Sequence, residues 1–95
     1  MKLPALNTTT EVLLNLYLNY QAIGSKEIRE NFKVSRAGAY RILDYCEEYM
    51  LSNGMTPSLM SGRRTVPIGV FFKCYGFNIE DIINKVKLMK SINNL

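Results

Sequence analysis

Apolar residues recur at three- and four-residue steps in a series of blocks separated by short polar breaks. Val12, Leu13, Leu16, Tyr17 and Tyr20 form the first stripe, and Leu14 and Leu18 widen it. This predicts a helix that is apolar on more than one face. Thr8 and Glu11 stand at capping-box spacing at its start, and Ala22, Ile23 and Gly24 end it. Ser25 then caps a short helix that carries Ile28 and Phe32 on one face. Val34 follows in a tight turn. Ser35 caps a longer helix with Ala39, Ile42, Cys46, Tyr49 and Met50 inward, stopped by Ser52-Asn53-Gly54. Met55 to Met60, broken by Pro57, fits an edge strand; Ser61-Gly62 is a turn, and Arg63 to Val66 returns as the partner strand. Pro67 opens and Gly76 closes a fourth helix, whose apolar face is Val66, Phe71, Phe72 and Tyr75. Asn78 caps the last helix. Its first turn is acidic (Glu80, Asp81), and Lys85, Lys87 and Lys90 lie towards its end, which complements the helix dipole.

The pattern predicts a mostly α chain with one small β-hairpin, a single domain over residues 1–95. Ile28, Phe32, Val34, Ala39 and Ile42 have the spacing that clamps two helices into a helix-turn-helix, placed over 25–52. Arg36, Ala37, Tyr40 and Arg41 are then left outward on the front turns of the second helix, where such side chains suit base edges and phosphates in a major groove. A hairpin directly after that helix, over 54–66, is the wing of a winged helix-turn-helix. Its tip would carry Arg63 and Arg64. With Ser25, Lys26 and Ser35, these would hold phosphates or an adjacent minor groove.

Two segments also resemble known proteins. The stretch KVSRAGAYRIL resembles the VSRSTAYRIL-type recognition helix of bacterial, archaeal and phage helix-turn-helix proteins. Lys33 stands where a glycine usually closes the turn, so it either adopts the left-handed conformation or lengthens the turn. Arg29 replaces a small residue, and pointing outward would rotate the first helix slightly. The stretch GRRTVPIGVFFKCYGF resembles the GRxVPxxxFxxxYG segment of small winged-helix proteins of mobile elements, including excisionase-like regulators. Together the resemblances span residues 23–77. They imply a DNA-binding transcriptional regulator or accessory factor of a mobile element, or a centromere-binding partition protein of a plasmid that spreads along DNA. A second protein of the same operon is a further candidate partner.

Charge adds to this picture. The 95 residues carry a net charge of +4, which favours polyanionic partners. Residues 24–41 hold Lys26, Arg29, Lys33, Arg36 and Arg41 against Glu27 and Glu30. Residues 49–79 hold Arg63, Arg64 and Lys73 with no acid, whereas Asp44, Glu47, Glu48, Glu80 and Asp81 gather elsewhere. The expectation is a basic side and a more acidic side, with Asp44, Glu47 and Glu48 a solvated helix face. A different class of reading is a protein-interaction module whose basic face meets an acidic partner.

Enzyme chemistry finds no support. The chain has no histidine, no glycine-rich phosphate cradle and no nucleophile–base pair, and Asp44, Glu47 and Glu48 lack any companion. Cys46 and Cys74 have no partner near them in sequence; both are expected buried and reduced in a cytoplasmic protein, with no metal or cofactor. Met1 to Leu6 is too short for a signal peptide, and no apolar run approaches the ~20 residues of a membrane span. Ile79, Ile82, Ile83, Val86 and Met89, continued by Ile92, make a stripe longer than a domain this small can cover. The terminal helix, 78–93, is therefore expected to form a homodimer, which would read a palindromic duplex.

Overall fold

The computed structural model describes residues 3–57, 59–60 and 63–93. Among the described residues five helices accompany a small antiparallel sheet: α1 (Thr10–Asn19), β1 (Ala22–Gly24), α2 (Ser25–Phe32), α3 (Arg36–Ser52), β2 (Leu59–Met60), β3 (Arg63–Pro67), α4 (Ile68–Tyr75) and α5 (Ile79–Asn93). The chain is thus mostly helical with a small hairpin. No helix among the described residues is long and apolar enough to cross a membrane.

Sheet order is β1-β3-β2. Strand β3 pairs with β2 through Leu59↔Arg64 and Met60↔Arg63, and with β1 through Ile23↔Val66 and Gly24↔Thr65. Strand β1 departs from the sequence reading, in which 22–24 merely ended a helix. Helix α1 stops at Asn19, Tyr20 is extended, and Ile23 becomes a fully buried strand residue. The Ile68 amide donates to the Gln21 carbonyl (2.9 Å), extending this ladder into α4. Val66 lies in β3, as the expected return strand has it, and not on the apolar face of α4; its side chain is fully buried. Met55 to Pro57 lie outside any strand, so the expected strand shrinks to Leu59–Met60; the expected Ser61-Gly62 turn lies outside the described residues.

Two caps shift by one residue. Thr9, not Thr8, caps α1, its hydroxyl accepting from the Val12 amide (3.3 Å). Gly24, not Ser25, precedes α2, and the Glu27 carboxylate accepts from the Gly24 amide (2.8 Å). Ser35 caps α3 as expected, accepting from Gly38 (3.0 Å), and Asn78 accepts from Glu80 and Asp81 at the head of α5. Lys33 closes the α2–α3 turn in the left-handed conformation (φ 54°, ψ 35°). The turn therefore keeps its short form at the cost of strain usually left to glycine. Gly76 (φ 73°) ends α4 without that strain.

The core gathers one face from every helix. Ile28, Phe32, Ala39, Ile42, Leu43 and Cys46 pack under the sheet with Ile23, Val66 and Phe71. Phe71 sits at the centre of an aromatic set, with ring centroids 5.6 Å from Phe32 and 5.2 Å from Tyr75. The N-terminal segment docks here: Leu3 and Leu6 pack on the core, and the Tyr75 hydroxyl donates to the Pro4 carbonyl (2.7 Å). Cys46 is fully buried beside Cys74 on α4, so the two are neighbours in space; Cys74 is only partly buried. Burial pushes both thiols up, and neither is disulfide-bonded.

Helix α5 lies on α1 by its first half. Ile82 is buried and Ile79 and Val86 partly so, while Ile83, Leu88, Met89 and Ile92 are exposed. The molecule is accordingly long, 47 Å against 28 Å in the other two directions.

Candidate nucleic-acid interface

Helix α3 alternates by face as its sequence dictates. Gly38, Ala39, Ile42, Leu43 and Cys46 are buried, which turns Arg36, Ala37, Tyr40 and Arg41 to solvent as one stripe at helical spacing. Lys26 in the first turn of α2, Lys33 in the turn and Ser35 at the α3 cap are also exposed; Ser25 is half-buried. Among the described residues Lys26, Lys33, Arg36 and Arg41 make no ion pair. The surface is thus a helix front with free guanidinium groups, flanked by two free ammonium groups and carrying an exposed phenol at its centre. Such a surface can donate hydrogen bonds to phosphate oxygens and to base-edge acceptors.

The two hairpin arginines are placed otherwise. Arg63, half exposed, points its Nη2 at both oxygens of Glu27 on α2 (3.0 and 3.1 Å). Arg64 lies along α3: its Nε donates to Glu47 (2.6 Å), and its Nη2 contacts both Asp44 and Glu47. Its guanidinium carbon also sits 6.0 Å from the centre of the Tyr40 ring. The expected segregation of charge is therefore corrected. Asp44, half exposed, and Glu47, less so, are partners of Arg64, and the hairpin that lacks acids in sequence meets three across the fold.

These pairs perturb titration locally. Burial pushes the Glu27 carboxyl up, but the Gly24 amide and the Arg63 guanidinium outweigh it and hold the carboxyl below its usual range. The hydrogen bond that Arg64 donates to Glu47 leads, with the one to Asp44 adding to it, in raising the Arg64 pKa against the cost of its partial burial.

Sequence reading missed Glu27, Asp44 and Glu47 as ion-pair partners, and it counted Lys33 in the basic side without placing it among the DNA-contacting residues. One signal was present: Tyr40, Asp44 and Glu47 are spaced four and three apart and so share one face of α3. The predicted dimer residues split, with Ile82 buried, Ile79 and Val86 partly buried, and Ile83 and Met89 exposed. Among the described residues no group of three or more Cys, Asp or Glu side chains is gathered in a way that could hold a metal ion.

No family profile matches the chain, no curated protein matches its sequence, and no solved structure matches its fold.

Proposed function

We propose that this chain is a sequence-specific duplex DNA-binding protein of the winged helix-turn-helix class. It acts as a homodimer, as a transcriptional regulator or as an accessory factor of a mobile element. Helices α2 and α3 are the helix-turn-helix, α3 is the recognition helix and β2–β3 the wing. The observation that carries this reading is the solvent-facing stripe Arg36, Ala37, Tyr40 and Arg41, whose two guanidinium groups have no carboxylate partner among the described residues. An arginine left uncompensated on a helix front is available to phosphates or to guanine O6 and N7. Lys26 and Lys33 widen the same front.

A second reading, a partition protein that spreads along DNA, draws on the two exposed apolar faces, Tyr17 and Leu18 on α1 and Leu88 and Ile92 on α5. Spreading needs contacts beyond a single two-fold interface.

Footprinting on the DNA flanking its own gene separates these readings. One discrete palindromic footprint is expected for a regulator, whereas a footprint that nucleates and lengthens with protein concentration would establish spreading. Lack of duplex binding at about 0.15 M salt, where several phosphate contacts should still hold a complex, would favour a module for an acidic protein partner.

A further inference from the structure

The wing arginine Arg64 reaches back onto the recognition helix, and its surroundings differ from those of every other cation on this face. It meets two carboxylates, Asp44 and Glu47, and lies against Tyr40, all on one side of α3. Arg36 and Arg41, on the same helix, have neither kind of partner among the described residues. Only a third of the Arg64 side chain is exposed.

We propose that Arg64 is a specificity-determining positioning residue for Tyr40, and not a phosphate clamp. Asp44 and Glu47 hold its planar guanidinium in place, and the guanidinium backs the Tyr40 ring so that the phenol meets the base edges in one fixed orientation. This inference rests on the duplex-DNA reading above. Three points carry it. A guanidinium with two carboxylate partners is already neutralised, so moving it to a phosphate leaves two anions facing the DNA. A planar fork can satisfy carboxylates at its edge while its flat side lies against a ring, which an ammonium cannot do. Finally, Tyr40 is 41% exposed at the centre of the stripe, so its orientation depends on whatever supports it from behind.

The roles separate by salt dependence. A residue that neutralises a phosphate contributes to the slope of log affinity against log salt; a residue that orients a base-reading side chain contributes to discrimination between sequences. The probes are a duplex selected by the wild-type protein from a random pool and a scrambled duplex of equal length, titrated by fluorescence anisotropy over a range of salt. For Arg64→Ala we expect discrimination to fall about tenfold or more, with the slope changed by less than about 0.5. Arg36→Ala should instead lower the slope by about 1. Arg64→Lys should fail to restore discrimination. The near-isosteric pair Asp44→Asn with Glu47→Gln keeps the packing. It should lose discrimination yet steepen the slope by about 1, because the released guanidinium then reaches phosphate. A slope lowered by about 1 in Arg64→Ala with discrimination intact would overturn the proposal alone, as would an Asp44→Asn/Glu47→Gln chain that behaves as wild type. Failure of the wild-type protein to select any duplex would overturn the DNA reading itself, and this inference with it.

Discussion

Glu27 and Arg63 meet at 3.0 Å although they are 36 positions apart in the chain, and the carboxylate oxygen at that distance also accepts from the Gly24 amide. One side chain therefore completes the start of α2 and fastens the hairpin to it. Gly24 belongs to the same junction: a Cβ there would lie 2.9 Å from the Arg64 carbonyl oxygen, so only glycine lets β1 approach β3 this closely.

Glu27→Gln is expected to lower stability by about 1–2 kcal/mol, since it weakens a charge-assisted bond to the Gly24 amide and an ion pair whose arginine is half exposed. Because the folded-state pKa of Glu27 is depressed, its contribution is complete above the ordinary carboxylate value of about 4.3. It is lost as pH falls below that value through the folded pKa. Urea denaturation at pH 7 and at pH 3 checks this: the gap between wild type and variant should shrink towards zero in acid.

Arg36→Ala and Arg41→Ala should each weaken binding to the selected duplex by about 1–3 kcal/mol with the thermal midpoint unchanged. Both side chains are exposed and make no internal ion pair among the described residues. Gel-shift titration beside a melting curve is sufficient, and unaltered affinity in both variants would remove α3 from the reading role.

Lys33→Gly should separate folding from binding. Glycine relieves the left-handed backbone at φ 54° and should raise stability by about 1 kcal/mol. The same change removes a free cation beside the α3 front and should lower the salt slope by about 1. Opposite signs in denaturation and in anisotropy are the expected result.

Ile83→Asp tests assembly. Ile83, Leu88, Met89 and Ile92 are exposed on α5 while Ile82 is spent on the core. A partner's helix would cover them and set two α3 helices about 34 Å apart. The wild-type chain should sediment as a dimer at tens of micromolar and the variant as a monomer with weak affinity for a full site. A wild-type chain that stays monomeric contradicts the homodimer.

Much of this architecture was legible because it is written in local spacing. The α2–α3 pair follows from Ile28, Phe32, Ala39 and Ile42, and the last helix from Asn78 and its apolar steps. What escaped was set by partners far along the chain. Three residues of β1 carry no periodicity, and only Val66 opposite Ile23 makes them a strand. Three consecutive threonines can each cap α1, and the choice of Thr9 depends on where the helix must lie. The outward residues of α3 follow from the inward ones, but the engagement of Arg63 and Arg64 does not. Acid-free neighbours in sequence said nothing about Glu27, Asp44 and Glu47 arriving from α2 and α3.

Pairing of Gly24 with Thr65 encloses α2 and α3 in a loop whose ends meet only once β3 is in place. Closing such a loop costs chain entropy before its contacts form, and an eight-residue helix such as α2 does not persist alone. In hydrogen exchange the sheet, α2 and α3 should open as one cooperative unit, with the outer amides of α5 exchanging earlier. A partly unfolded chain would then keep every cation and lose their arrangement. On the DNA-binding reading, it would cling to any duplex without telling one sequence from another.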